Sequence, residues 1–152
     1  MTREEMARAY FAEGYNCSQA VVLAFAEEIG LPPAQLAKAA SSFGGGMGRL
    51  REVCGAVSGM FLVCGFLMGY DDPQASTEKA AHYARIQALA AAFKAEIGCD
   101  TIVCRELLGA EGKDTSPTPS ARTASYYTRR PCGDMVGVAA RVLENYLREN
   151  AK

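Results

Sequence analysis

The chain has 152 residues, and 49% of them are hydrophobic, enough for one domain with a buried core. Its formal net charge is -1 and it contains no basic run, so neither nucleic acid nor an anionic surface is expected as a partner. The first residues, MTREEMARAYFAEG, are charged and amphipathic and lack an apolar signal-peptide core. We therefore expect a cytoplasmic protein with a single domain over residues 1–152.

Six cysteines are many for a cytoplasmic chain of this length. They are Cys17, Cys54, Cys64, Cys99, Cys104 and Cys132. In a reducing compartment, cysteines are metal ligands or redox thiols more often than structural disulfides. The alternative is that they are small buried residues of the core. Because no C-x-x-C pair is present, a thioredoxin-type pair, a zinc ribbon and a c-type haem attachment site are unsupported.

Capping patterns predict the first two helices. Thr2 with Glu5 forms a capping-box pattern at the start of the first helix. Asn16 with Gln19 forms the same pattern at the start of the second. Cys17 is therefore expected in the first turn of the second helix. A third, short helix is predicted over residues 34–42, after two prolines.

The stretch 43–70, FGGGMGRLREVCGAVSGMFLVCGFLMGY, combines a glycine cluster with a long uncharged run. The cluster at 44–48 matches neither G-x-G-x-x-G nor a P-loop, so we expect a loop with positive φ angles and close backbone approach rather than a phosphate site. The run 53–70 has 18 residues, just the length of a transmembrane candidate. Its four glycines, Ser58 and the acidic residues that follow favour a soluble central helix packed on all sides.

A long helix is predicted after this run. Asp72-Pro73 is expected to start it, and Ile97 lies at its end, before a glycine. His82, the only histidine, lies on this helix. We expect a surface or hydrogen-bonded residue there rather than a ligand.

The remaining cysteines lie late in the chain. Asp100 or Thr101 is expected to cap a short helix that has Cys104 near its N-terminus. Residues 110–130 are rich in Ser, Thr, Pro, Gly and Arg and predict a surface loop. Cys132 directly follows the proline that begins the last helix. With no convincing strand, the fold class is all-α, a compact bundle of about six to seven helices around the Gly-rich apolar helix.

Four of the six cysteines share a position in this pattern. Each of the four lies in the first turn of a different predicted helix: they are Cys17, Cys54, Cys104 and Cys132. A helix N-terminus presents unpaired N–H groups and a partial positive charge, which lowers a thiol pKa and favours a reactive or metal-binding thiolate. We therefore predict a shared thiolate site that the fold assembles. Cys64, which lies mid-helix among apolar residues, and Cys99 are left out of it.

Several motifs together resemble the C_GCAxxG_C_C family of redox-active proteins, over nearly the whole chain. They are GYNCSQAV at 14–21, FGGGMGR at 43–49, CGAVSG at 54–59, CRELLG at 104–109 and the late Cys132. The resemblance implies that the family's four cysteines are Cys17, Cys54, Cys104 and Cys132, and that the protein is encoded near transport or oxidoreductase functions. A similar domain in split-Soret-type cytochromes implies a non-haem iron centre. Since this chain lacks the haem motif, only the cysteine site can carry over.

The first functional hypothesis is a metal or iron–sulfur site for electron transfer, with these four cysteines as ligands. Four thiolates suit an iron–sulfur cluster or zinc, and zinc would make the site structural. The glycines at 44–48, Gly55 and Gly59 would let backbone N–H groups approach the sulfurs, so Gly55 is also placed at the cofactor site. The partner would be an unidentified redox or transport protein.

Two alternatives stay open. One is a thiol–disulfide enzyme without metal, in which Cys54 attacks and another of the four resolves; His82 and Glu106 are the only candidate bases. The other is a structural helical domain with buried cysteines. Whether the protein is an enzyme is left open. No membrane insertion is expected, and a homodimer is an alternative because a glycine-faced helix can pack against a second subunit.

Overall fold

The computed structural model describes residues 1–150, apart from the side chains of residues 128 and 129. The expected domain range 1–152 therefore ends outside the described residues. Within them the chain forms ten α-helices, two short 3₁₀ helices and no strand. The α-helices are α1 (Arg3–Ala12), α2 (Cys17–Ala24), α3 (Ala26–Ile29), α4 (Pro33–Ala40), α5 (Gly44–Met47), α6 (Gly55–Met68), α7 (Ser76–Ile97), α8 (Cys104–Leu108), α9 (Ala124–Arg129) and α10 (Cys132–Glu149), and the 3₁₀ helices are Ser41–Phe43 and Gly109–Lys113.

The prediction of an all-α fold is confirmed. The number of α-helices exceeds the expected count because several are short. For example, α3 and α5 have four residues each, too few to show a periodic apolar pattern in the sequence. Helix α5 is also irregular, because Gly45 and Gly46 within it have left-handed rather than helical angles. Residues 110–130 were expected to form a loop, but they contain helix α9 and most of the second 3₁₀ helix. The residues of this segment whose side chains are described are mostly exposed.

Helix α6 is the central helix that the uncharged run predicted. It packs against α2, α7 and α10, and its residues 55–60, Val63 and Cys64 are buried. A Cβ on Gly59 would lie 2.8 Å from the carbonyl oxygen of Ser18, so the glycine allows α2 and α6 to approach closely. Cys64 is 0% exposed and serves as a core residue. Within residues 1–150, no helix combines the length and the apolar character that crossing a bilayer would require.

Both predicted capping boxes are present. The Thr2 hydroxyl accepts a hydrogen bond from the Glu5 N–H at 3.1 Å, and the Glu5 side chain accepts from the Thr2 N–H. The Asn16 side chain accepts from the Gln19 N–H at 2.9 Å, and the Gln19 side chain accepts from the Asn16 N–H at 3.1 Å. These bonds satisfy N–H groups that a helix start leaves unpaired. They fix Cys17 as the first residue of α2.

The start of α7 differs from the prediction. Asp72-Pro73 was expected to begin the helix, but the helix begins at Ser76 and ends at Ile97 as predicted. The Asp72 carboxylate accepts a hydrogen bond from the Gln74 N–H at 2.9 Å, and the Asp72 carbonyl accepts from the Ala75 N–H at 3.0 Å. These two bonds close a separate turn before the helix, because aspartate side chains compete for nearby backbone N–H groups.

Candidate functional site: a cavity of cysteines and arginines

Four of the cysteines line one cavity of about 320 Å³, and Gly55 lies in its wall with them. They are the first residues of three helices, Cys17 of α2, Cys104 of α8 and Cys132 of α10, and the residue before the first of α6, Cys54. The fold thus brings the four sequence-predicted cysteines to one place from positions far apart in the chain. The N-termini of four helices converge on this cavity.

A short antiparallel pairing places two of these cysteines side by side. Val53 and Val103 form an isolated β-bridge. Next to it, the Cys54 N–H donates to the carbonyl of Ile102 at 2.7 Å, and the Cys104 N–H donates to the carbonyl of Glu52. The bridge is too short to appear as a strand pattern in the sequence. It nevertheless sets the separation between the start of α6 and the start of α8.

Glycines let the backbone come close to the cysteines, as the sequence predicted. A Cβ on Gly55 would lie 2.3 Å from the Cys17 sulfur, and a Cβ on Gly46 would lie 2.6 Å from the Cys104 Cβ. Real Cβ atoms do not approach other atoms so closely, so no larger residue fits without movement. The backbone N–H of Gly45 also hydrogen-bonds the Cys17 sulfur.

The chain turns around the cavity through left-handed backbone. All residues from 45 to 49 have positive φ, between 60° and 71°, and Arg51 has φ 63°. The sequence predicted this for the glycines but not for Met47, Arg49 and Arg51. Left-handed backbone costs roughly 1–2 kcal/mol per non-glycine residue. Such strain persists where surrounding contacts hold the chain, as they often do at functional sites.

The pKa values of three cavity cysteines are raised, which corrects the expectation that helix N-termini would lower them. Burial raises the pKa of Cys54 far above its usual range; the Cys17 thiol adds to this, and two α6 N–H groups oppose it. Burial raises the pKa of Cys132 to about 12, against an opposing effect of Arg130. Burial also raises the pKa of Cys17, which the Gly45 N–H opposes. Loss of water around a thiolate therefore outweighs the helix N-terminus at these positions.

Four arginines line the same cavity, and no described residue of its wall is acidic. They are Arg49, Arg51, Arg122 and Arg130. Arg51 is only 1% exposed, and its Nη1 lies 3.8 Å from the Cys104 sulfur. A buried guanidinium favours negative charge nearby. Nothing in the local sequence marks Arg51 as buried or places the other three arginines at the cavity, so the sequence alone did not reveal them.

The arginines also hold the exposed segment 110–130 over the cavity. Arg49 Nε donates to the carbonyl of Ser116 at 2.6 Å, and Arg51 Nε donates to the carbonyl of Asp114 at 2.9 Å. The Arg122 guanidinium donates to the carbonyls of Phe11 and Tyr15 and lies over the Phe11 ring. Pro117 and Pro119 of this segment line the cavity. The predicted surface loop is thus one wall of the site.

The remaining candidates lie outside the cavity. Cys64 is buried in the core and Cys99 is exposed. His82 Nδ1 is 3.0 Å from Arg85 Nη1 on α7, and burial, with the Arg85 charge, lowers the pKa of His82. Glu106 is exposed. Neither suggested base faces the four cysteines.

All six cysteines are free thiols. Four soft sulfur donors, with backbone N–H and guanidinium groups around them, suit a thiolate-ligated metal centre in their chemistry. Among residues 1–150, however, no group of three or more His, Cys, Asp or Glu side chains is arranged to hold a single metal ion. The donor types therefore fit such a centre, whereas their present spacing does not form a one-ion site.

Comparisons with curated proteins and with solved structures found no match to the chain. A family model with the description "Putative redox-active protein (C_GCAxxG_C_C)" matches residues 15–146. The matched range includes all four cavity cysteines and most of the 152 residues. The chain therefore belongs to the C_GCAxxG_C_C family.

Proposed function

We propose that Cys17, Cys54, Cys104 and Cys132 bind an iron–sulfur cluster that exchanges electrons with a redox or transport partner protein in the cytoplasm. One observation carries this proposal: four thiols from four helix N-termini line one cavity whose described wall contains no carboxylate. Thiolate ligands select soft metals and clusters and do not suit magnesium or calcium. When bound, such a cluster supplies one-electron transfer.

Two observations favour a cluster over zinc. The cavity of about 320 Å³ is far larger than a single ion needs. Several iron and sulfide ions set their thiolate ligands further apart than one zinc ion does. Zinc is also redox-silent, whereas the family is described as redox-active.

The protein's own groups would stabilise the negative charge that such ligation places on sulfur. The Gly45 N–H bonds the Cys17 sulfur, two α6 N–H groups bond the Cys54 sulfur, and Arg51 lies beside Cys104. Hydrogen bonds and positive charge at the sulfurs raise a cluster's reduction potential. Since burial raises the pKa of Cys17, Cys54 and Cys132, ligation must release protons at neutral pH.

The test compares Cys54→Ser with Cys64→Ser after purification without oxygen. Both cysteines are buried near α6, but only Cys54 lines the cavity. We expect the unchanged protein and Cys64→Ser to show visible absorbance with stoichiometric iron and sulfide, and Cys54→Ser to lose them. Stoichiometric zinc without iron would instead favour a structural site. If both variants keep the absorbance, iron and sulfide, or both lose them, then placing Cys54 in the site and Cys64 outside it is wrong.

A thiol–disulfide function is the second candidate, and the proximity of the thiols favours it. The Cys17 thiol is close enough to raise the pKa of both Cys54 and Cys132. In this function two cavity thiols would lose two protons and two electrons to an oxidised partner disulfide and join as one disulfide. A colourless, metal-free protein in which peptide mapping finds Cys54 joined to another cavity cysteine would support it over the cluster.

A further inference from the structure

Two buried guanidinium groups at the cavity have N–H groups without partners. Arg51 is 1% exposed, and the Arg130 side chain is 6% exposed. Among the described residues, neither Arg51 Nη2 nor Arg130 Nε has a hydrogen-bond partner. A buried, unsatisfied donor on a charged group is costly, because it has lost water without gaining a substitute. Each of the two arginines therefore has a buried N–H group that no acceptor of the described residues reaches.

The carboxylates near the cavity offset only part of the positive charge of its arginines. Asp114 pairs with Arg49 at 3.1 Å, and Glu111 pairs with Arg130 Nη2 at 3.5 Å. Both carboxylates lie outside the cavity wall. Arg51 forms no ion pair within the described part of the chain, and its partners there are the Asp114 carbonyl and the Cys104 sulfur. The cavity therefore keeps an excess of positive charge.

The cavity also has room and a further donor. Its volume of about 320 Å³ lies at the lower end of the roughly 300–1000 Å³ typical of small-molecule sites. The Ser120 hydroxyl lies in the wall, 3.2 Å from Arg130 Nη2. A guanidinium fork matches the oxygens of a phosphate, sulfate or carboxylate group in two parallel hydrogen bonds.

We propose that the cavity binds a small oxyanion beside Cys104, with Arg51 and Arg130 as its anchoring cations and Ser120 as an additional donor. The anion supplies the acceptors that the two guanidinium groups lack. It places an anionic small molecule directly against the cysteine site. This inference goes beyond the proposed function and does not require a bound cluster.

Isothermal titration calorimetry on the full-length, reduced, metal-free protein tests this inference, with inorganic phosphate as one probe and acetate as the other, at constant ionic strength. Saturable binding of either probe supports an oxyanion site. Tighter binding of phosphate would indicate a tetrahedral ligand, and tighter binding of acetate a planar carboxylate. Arg130→Gln should weaken binding at least about tenfold, the effect expected for losing a charged hydrogen bond. The control Arg85→Gln should bind like the unchanged protein, because Arg85 lies on α7 outside the cavity and donates to the Met68 carbonyl.

Arg51→Gln should weaken binding similarly, and Arg51→Lys should restore only part of it, because lysine keeps the charge but loses the fork. Circular dichroism checks that the variants are folded, and Arg130→Gln carries the test if Arg51 variants do not fold. No saturable binding of either probe, or equal binding by Arg130→Gln and Arg85→Gln, would overturn the inference. If the protein binds phosphate but never assembles a cluster, the oxyanion site stands and only the proposed iron–sulfur function is refuted.

Discussion

Replacing Gly55 by alanine tests whether the start of α6 lies against Cys17 as the structure has it. The new Cβ would lie 2.3 Å from the Cys17 sulfur and 2.8 Å from the carbonyl oxygen of Phe43. The second contact is with backbone, which cannot rotate away as a side-chain end can. Either the start of α6 or the segment before α5 must therefore move.

The magnitude follows from two opposing effects. Alanine is more favourable than glycine in a helix interior by about 1 kcal/mol, which applies in full at Gly65 but less at Gly55, the first residue of α6. Forcing an extra carbon into a packed site costs about 1–3 kcal/mol or more. Gly65 in the same helix is the matched control, because a Cβ there would meet nothing within 4 Å. We expect Gly55→Ala to lower the free energy of unfolding by about 1–2 kcal/mol and Gly65→Ala to raise it by up to about 1 kcal/mol.

Urea unfolding followed by circular dichroism measures both variants under the same reducing, metal-free conditions. For a domain of this length, 1 kcal/mol corresponds to a shift of roughly 2–4 °C in Tm, so the two variants should be separated clearly in thermal scans as well. The reasoning would be refuted if both substitutions stabilised the protein equally. That result would mean that the backbone at Gly55 does not approach Cys17 closely.

Two further predictions concern the elements around the cavity. Asn16→Ala should lower the free energy of unfolding by about 1–2 kcal/mol. The Asn16 side chain accepts a hydrogen bond from the Gln19 N–H and donates one to the Ser41 carbonyl at 3.2 Å, and alanine makes neither. An unchanged urea midpoint would contradict the capping role of Asn16. The metal-free protein should lose stability as pH rises above about 8.5, the ordinary thiol pKa. Burial raises the pKa of Cys132 to about 12, so the folded chain keeps a proton that the unfolded chain releases. The free energy of unfolding should then fall by up to about 1.4 kcal/mol per pH unit for each such thiol. Urea titrations between pH 7 and 10 check this, and stability that is flat or rises over that range would contradict it.

Sequence patterns within a few residues predicted part of the local structure. The expected cap of α8 by Asp100 or Thr101 did not form, since Val103 is its N-cap without a side-chain hydrogen bond. Both capping boxes formed, and α7 ended at Ile97 before a glycine in the left-handed region, Gly98. Each of these features depends on hydrogen bonds or backbone angles among residues close in sequence. The start of α7 was predicted wrongly. Asp72 can either cap a helix or close a turn, and the local sequence does not say which of the two is more stable.

The sequence also determined which four cysteines lie at helix starts, and it separated Cys64, mid-helix, from them for the same local reason. Their convergence on one cavity was decided by the fold. Only the tertiary structure decided what surrounds the four. The pairing of Val53 with Val103 joins segments far apart in the chain. Arg49 and Arg51 likewise bond the distant segment around Asp114 and Ser116, and Arg51 is buried there. Burial then reversed the expected direction of the pKa shift at Cys17, Cys54 and Cys132. Desolvation depends on everything packed around a sulfur, whereas the effect of the helix N-terminus depends only on the residues next to it.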